Sequence, residues 1–307
     1  MLTTLAIVFP IFAIVLLGNL ARRLRVVDAG AFRSLRDVVF YLTMPAFLFS
    51  SIVLGPGFDI AGVAIVYFGA CLLVFGLAFV IARAARLPRA RAAMLGLNSS
   101  FGNTVMIGIP VAVSALGAEA LPPLLAIIAL HSAILLPLAG VLMEAEAGAA
   151  RRGPVAVVLG TLTGALRNPI IVAILLAFLW RASGLPLPAP AADVLRMLGA
   201  AATPLALICL GGTLPPLNLR ALGSETLIAL VLKLLALPAL VWTIGTALQL
   251  APLPLAVAVL TASMPTGANA FLLAHRNDEL IEVSAGTVLI STILSVVTIT
   301  LLLRLLV

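Results

Sequence analysis

Two stretches of this 307-residue chain place polar, helix-breaking residues in the middle of apolar runs, and chemistry is to be sought there first. One reads Asn98-Ser99-Ser100-Phe101-Gly102-Asn103-Thr104, followed by Gly108-Ile109-Pro110. The other reads Thr261-Ala262-Ser263-Met264-Pro265-Thr266-Gly267-Ala268-Asn269. Proline removes a backbone donor and glycine lets the chain unwind, so Pro110 and Pro265 are expected to interrupt their helices. Each interruption leaves a half-helix N-terminus with free amides and the positive end of a dipole, which suits an anion. Ser99, Ser100, Asn103, Thr104, Thr266 and Asn269 add neutral donors and acceptors able to grip a carboxylate without a fixed charge. Any one of these residues alone reads equally well as a kink or a close-packing position of a membrane helix. Two clusters at mirrored positions favour a binding site.

Lys233 is the single basic residue deep inside an apolar run. A lysine at a helix centre costs about 2.5 to 3.5 kcal/mol on insertion scales, so it is expected to face protein or water, attracting an anion or responding to a proton. Snorkelling of its long stem is the plainer reading. His131, central in another run, reads as a proton relay or substrate contact, or as a hydrogen-bonded packing histidine. His275, beside Arg276, Asp278 and Glu279, is placed in a solvated turn without a role. The eleven acidic residues all fall in loops or at the ends of apolar runs, which disfavours sodium or proton sites built from carboxylates and the buried acids that intramembrane enzymes need. No P-loop is present, and Cys71 and Cys209 sit singly inside apolar runs as packing residues. The residues therefore point to no catalytic group, metal or cofactor, and leave coupling to protons or sodium unspecified. An intramembrane hydrolase or sensor built on His131 and a passive channel are the alternatives from other classes.

These residues need elements that lipid can solvate. With 63% apolar and 9% charged residues, the chain cannot cover a water-exposed surface, and runs of about 20 apolar residues recur along its length. Spans are expected near 3–21, 38–54, 60–82, 92–116, 124–143, 168–182, 194–214, 224–248, 254–274 and 283–304. Arginines cluster between alternate spans, so the net charge of +7 reads as topology and not as nucleic-acid binding. The pattern puts both termini outside a cytoplasmic (inner) membrane of bacterial type. Thr3 to Ala21, with arginines behind it and none ahead, does not read as a cleavable signal peptide. The apolar segment Gly153 to Leu166, too short to span, is assigned to the cytoplasmic interface.

An internal repeat organises the chain at an offset of 159 residues: Phe9-Pro10-Ile11 returns as Asn168-Pro169-Ile170, Met44-Pro45 with Leu48 as Thr203-Pro204 with Leu207, and Ser132 as Ser291. The units are residues 1–143 and 168–307, joined by a linker at 144–167. Five spans is an odd number, so the second unit enters the membrane from the opposite side. The expected fold is an all-α membrane protein of ten transmembrane helices in two inverted five-helix repeats, with the fourth and ninth helices broken. Such architecture is that of secondary transporters with a site near the midplane, here for a small organic anion.

At Val39-Phe40-Tyr41-Leu42-Thr43-Met44-Pro45-Ala46, Phe101-Gly102-Asn103 with Gly108-Ile109-Pro110, Asn168-Pro169, Thr203-Pro204-Leu205-Ala206-Leu207 with Gly211, and Met264-Pro265-Thr266-Gly267-Ala268-Asn269, the chain resembles the auxin efflux carrier family over nearly its whole length. The resemblance implies helices 1, 2, 6 and 7 as a scaffold, often dimerising into a homodimer. It implies helices 3, 4, 5, 8, 9 and 10 as a moving transport domain, and an elevator-type carrier for auxin-like or dicarboxylic anions. It places the site where helices four and nine cross at prolines, mapping Asn103, Pro110, Pro265 and Asn269 onto the crossover and Lys233 onto a lysine of the eighth helix. The long cytoplasmic loop of plant exporters is replaced by about 25 residues here. A bile-acid-type sodium symporter shares the architecture but resembles sites with buried carboxylates.

Overall fold

The computed structural model describes residues 2–55, 60–144, 160, 163, 168–214, 223–277 and 280–306, and these are helical apart from turns and one isolated bridge. In chain order the helices are α1 (Leu2–Arg23), α2 (Ala29–Leu54), α3 (Ile60–Ala84), α4 (Arg89–Ser100), α5 (Thr104–Leu116) and α6 (Leu121–Glu144). They continue as α7 (Pro169–Ser183), α8 (Ala189–Thr213), α9 (Ser224–Ala247), α10 (Pro252–Ala262), α11 (Ala268–Asn277) and α12 (Ile281–Leu306). Six stretches among the described residues are long and apolar enough to cross a membrane, while α5, α7 and α10 are shorter apolar helices. Leu17, Leu73, Val80, Leu179 and Leu301 lie exposed on outward faces, the reverse of a water-soluble surface. The interfacial assignment of Gly153 to Leu166 and the linker at 144–167 lie outside the described residues, apart from isolated positions.

Two helices begin earlier than their apolar residues announce. The Asp28 carboxylate accepts from the Ala31 amide at 2.7 Å and caps α2, whose first turns bury Phe32 while Arg33, Arg36 and Asp37 stay exposed. A helix can start in the polar interface before it becomes apolar, so the expected start at 38 is corrected to 29. In α8, Pro188 at the N-cap and Pro190 in the first turn set the start at Ala189 instead of 194. His275 is likewise corrected: it is exposed but helical, within α11.

Prolines also shape the helix interiors. Val39–Thr43, Thr104–Gly108 and Leu232–Ala236 are π-helical, and each ends two residues before a proline, Pro45, Pro110 or Pro238. A proline ring clashes with the carbonyl four residues back, and widening the turn to an i−5 bond relieves that clash. The Gly108 amide accordingly donates to the Asn103 carbonyl at 3.0 Å.

Packing divides the interior into two buried clusters. One gathers α3, α4, the second half of α6, α9 and the flanks of α10 and α11 around Tyr67, Phe75, Met94 and Leu237. The other gathers α1, α2, α5, α7 and α8 with the first half of α6 and parts of α10 and α12, around Val15, Met44, Leu48, Leu124, Ile174, Leu207 and Leu260. Within the second cluster, α1 packs on α8 and the latter half of α2 packs on α7. Gly18 and Gly211 allow the first contact, because a Cβ on either would collide with the backbone of the opposite helix, at Ile208 and Val15 respectively. Arg22, at the end of α1, donates to the carbonyls of Gly212 at 2.9 Å and Leu214 at 3.1 Å, closing the C-terminus of α8. Arg181, at the end of α7, donates to the carbonyls of Ile52 at 2.8 Å and Gly55 at 2.7 Å, closing the C-terminus of α2. These two arginines are themselves 159 positions apart in the sequence.

Candidate functional site at the helix crossover

Between α4 and α5, and again between α10 and α11, the chain leaves the helix for a few residues, and the two extended pieces meet. Gly102 and Thr266 form an antiparallel bridge. The Asn103 amide donates to the Pro265 carbonyl at 2.7 Å, and the Gly267 amide donates to the Phe101 carbonyl at 3.0 Å. Each break thus satisfies backbone groups that the other has released, which is the condition for irregular backbone at membrane depth. Close approach explains Gly267, where a Cβ would stand 2.9 Å from the Gly102 carbonyl oxygen and from the Phe101 ring.

The surroundings complete the satisfaction of this backbone. The Gly102 amide donates to His131 Nε2 at 3.0 Å, and the Thr266 amide donates to Ser291 Oγ at 3.0 Å. Thr266 Oγ1 donates to the Asn98 carbonyl at 2.9 Å, and Asn98 Nδ2 donates to Ser284 Oγ at 2.9 Å. An acceptor at Nε2 fixes the neutral His131 tautomer with its proton on Nδ1, and Nδ1 is buried without a hydrogen-bond partner. Phe101 packs on the imidazole, with ring centroids 4.4 Å apart.

A cavity of about 130 Å³ opens at the crossover. It is lined by Phe101 to Met106, by Gly267, Ala268 and Asn269, by Ile128, His131 and Ser132 of α6, by Val39, Phe40 and Met44 of α2, and by Asn168, Ile170 and Ile171 at the start of α7. Its volume suits a solute of a few heavy atoms, well below drug-sized pockets of about 300 Å³ and more. The first amides of α5 and α11, at Thr104, Val105, Ala268 and Asn269, belong to residues that line it, and first-turn amides have no acceptor within their own helix. Asn103 Oδ1 caps α5 by accepting from the Met106 amide at 3.2 Å, and Asn168 Oδ1 caps α7 by accepting from the Ile170 amide at 2.9 Å. With the oxygens engaged, both side chains have N–H groups to offer a solute. The wall is therefore rich in donors, carries no fixed charge, and is apolar along α2.

The residues singled out from the sequence separate into two groups. Asn103, Thr104, His131 and Asn269 line the cavity. Pro265 and Thr266 build the crossing behind it. Ser99 and Ser100 are fully buried and donate to carbonyls of their own helix, at Leu95 and Gly96, both at 2.8 Å, because a serine inside a helix reaches back one turn. Pro110 is not at the crossing: it lies in the first turn of the regular part of α5, where it widens the turn before it. Lys233 is fully buried but does not line the cavity, since its Nζ donates to the Ala262 carbonyl at 2.6 Å. Phe40, Met44, Met106, Ser132 and Asn168 line the cavity without having been singled out as site residues, although Phe40, Met44 and Asn168 sit within motifs the sequence had flagged. For Asn168 the usable signal was an asparagine just before a helix-starting proline, a capping pattern at the start of α7.

His131 Nε2 is taken by the Gly102 amide, and Ser99 and Ser100 bond back within α4 instead of to the ring.

Comparison with known proteins places the chain among transporters. The chain is 30% identical over 300 residues, 96% of its length and 93% of the relative's, to a Rhizobium meliloti (strain 1021) protein named "Putative malonate transporter". It is 27% identical over 296 residues, 94% of each chain, to an "Uncharacterized transporter" of Methanothermobacter thermautotrophicus. Residues 3–303 match the family described as membrane transport protein, so this multi-pass membrane chain belongs to that family, the auxin efflux carrier family of transporters.

Proposed function

We propose that the protein is a secondary carrier for a small carboxylate, with a short dicarboxylate such as malonate as the leading substrate class. The observation that carries this reading is the cavity at the crossing, where the first amides of two half-helices and the N–H groups of Asn103 and Asn168 converge in a space of about 130 Å³. Two positive dipole ends attract a carboxylate more strongly than one, and the neutral wall lets the anion leave again. The name of the Rhizobium meliloti relative supports the dicarboxylate class.

In this reading the ten spans are α1, α2, α3, α4 with α5, α6, and their repeat mates α7, α8, α9, α10 with α11, and α12. The exchanged arginine caps support the inverted repeat. Arg22 of the first unit closes α8 of the second, and Arg181 of the second closes α2 of the first. The packing of α1 on α8 and of the latter half of α2 on α7 supports a scaffold of these four helices, through which a second copy would pair, with the remaining helices as a mobile body carrying the crossing. The cavity lies where the two divisions meet, so movement of one against the other would carry a bound anion across the membrane by an elevator mechanism.

The test is a stability and uptake series with malonate, succinate, acetate and indole acetate on the protein purified in detergent and reconstituted in liposomes. A ligand that selects the folded state raises Tm, and at about 100 times Kd the gain is about 2.7 kcal/mol. Saturable malonate uptake with counterflow, and a Tm rise lost in Asn269→Ala, are expected. Stabilisation by neutral solutes or cations, with none by carboxylates, would refute the anion site.

A further inference from the structure

The half-helix ends that face away from the cavity also have a partner to find. Where a helix is broken at membrane depth, its N-terminal half-ends suit an anionic group, and its C-terminal carbonyl ends suit a cation. Here the starts of α5 and α11 line the cavity, whereas Ser100 and Ala262, the last residues of α4 and α10, do not. The carbonyls at the end of α4 are met by neutral donors, with Thr266 Oγ1 on Asn98 and the Gly267 amide on Phe101. The end of α10 is met by a charge. Lys233 Nζ donates to the Ala262 carbonyl at 2.6 Å, and it lies so close to the crossing that a Cβ on Gly102 would be 3.4 Å from it.

Among the described residues no aspartate or glutamate is buried, so no carboxylate balances this ammonium. The titratable side chains around it are Tyr67 and Cys71 of α3 and His131 of α6, and the buried polar side chains of α4, α10 and α12 are asparagine, serine and threonine. An amine set at a helix C-terminus and held by carbonyl oxygen stands where a carrier would otherwise bind a small metal cation.

We propose that the Lys233 ammonium is a built-in cation standing at the carbonyl end of α10 where a coupling cation would bind, so that the carrier holds its crossing together and works without sodium. This inference rests on the carrier reading, but its first test does not need transport.

That test compares the wild type with Lys233→Ser and Lys233→Met in detergent, measuring Tm in lithium, sodium, potassium and choline chlorides at equal ionic strength. The wild type is expected to give the same Tm, within about 1 °C, in all four salts. Lys233→Ser, which opens the space and leaves the carbonyls unpaired, is expected to melt lower in choline and to recover by about 5 °C in one of the small-cation salts. Lys233→Met, which fills the space with an apolar chain, is expected not to respond to cations. A sodium-specific rise in the wild type, or a folded Lys233→Ser that responds to none of the three metal ions, would overturn the proposal. If Lys233→Ser does not fold, the wild type decides: initial malonate uptake into liposomes is expected at an unchanged rate when choline replaces sodium on both sides, and a tenfold fall would overturn it. Absence of uptake for every carboxylate in every medium would count against the carrier reading instead, leaving the wild-type salt series to judge Lys233.

Discussion

The two breaks that cross at the centre of the molecule do the same job with different materials. The first occupies only Phe101 to Asn103 and passes at once into a π-turn capped by Asn103 itself. The second runs from Ser263 to Gly267, contains its own proline, and is held from outside by Ser291, by Thr266 bonding back to Asn98, and by Lys233 on the carbonyl just before it. Asn103 is accordingly 9% exposed and structurally engaged, while Asn269 is exposed to the cavity at the start of α11. The lesson is that one asparagine combines a helix cap with a place in the cavity wall, while the other stands in the wall alone. Changing each in the same way separates fold from function.

The largest expected effect comes from placing a negative charge in an anion site. Asn103→Asp keeps the oxygen that accepts from the Met106 amide, so Tm should fall by no more than a few degrees, yet malonate uptake should fall by about 100-fold or more. Asn269→Asp should lose uptake to a similar degree. A variant of either kind that still transports malonate at half the wild-type rate would remove that residue from the site.

Next come the two glycines of the bridge, which the same substitution should split. Gly267→Ala forces a Cβ to within 2.9 Å of the Gly102 carbonyl and the Phe101 ring, with backbone on one side that cannot move without opening the crossing. A loss of about 2 kcal/mol is expected, read as a lower Tm in detergent. Gly102→Ala meets first the far end of the Lys233 side chain at 3.4 Å, and since a flexible end can shift, a loss below about 1 kcal/mol is expected. Equal losses would mean that the bridge is not the rigid centre of the fold.

The acceptors that hold each break from outside form a third contrast. His131→Ala and Ser291→Ala each leave a buried amide, of Gly102 or of Thr266, without its partner, at a cost of about 1 to 3 kcal/mol. His131→Ala should also lower malonate affinity, because the imidazole lines the cavity, whereas Ser291→Ala should leave affinity unchanged. Thermal melts with and without malonate check both halves of the prediction.

Much of this arrangement was legible in the sequence because it is written in residue types that have one physical use. Proline and glycine inside apolar runs marked both breaks, and the neutral polar residues around them marked the wall. The residues misjudged are those whose role depends on which way a side chain faces. Ser99 and Ser100 bond back within their helix, and Lys233 turns to a helix end instead of the cavity. Pro110 was placed at the crossing because proline breaks helices, but a π-turn absorbed it. The second break also falls later in its repeat than a constant offset of 159 would put it, so matching by offset finds α1, α2 and the arginine caps but not the crossing. Contributions from α2 and α7 to the cavity were hidden for another reason: they are brought there by packing between helices distant in the sequence, which no local pattern encodes.

The smallest expected effect is also the one that most directly tests the division of labour between the asparagines. Asn103→Ala removes an N-cap, and losses of that kind are about 1 kcal/mol. It also removes an N–H donor from the cavity wall, so Tm and malonate affinity should fall together. Asn269 has no such structural bond to lose, and an alanine in the first turn of a helix is a good helix former. Asn269→Ala should therefore melt within about 0.5 kcal/mol of the wild type while losing most of its stabilisation by malonate. If Asn269→Ala proved the less stable of the two, the second break would depend on its own asparagine as the first does, and the proposed asymmetry between the two asparagines would have to be given up.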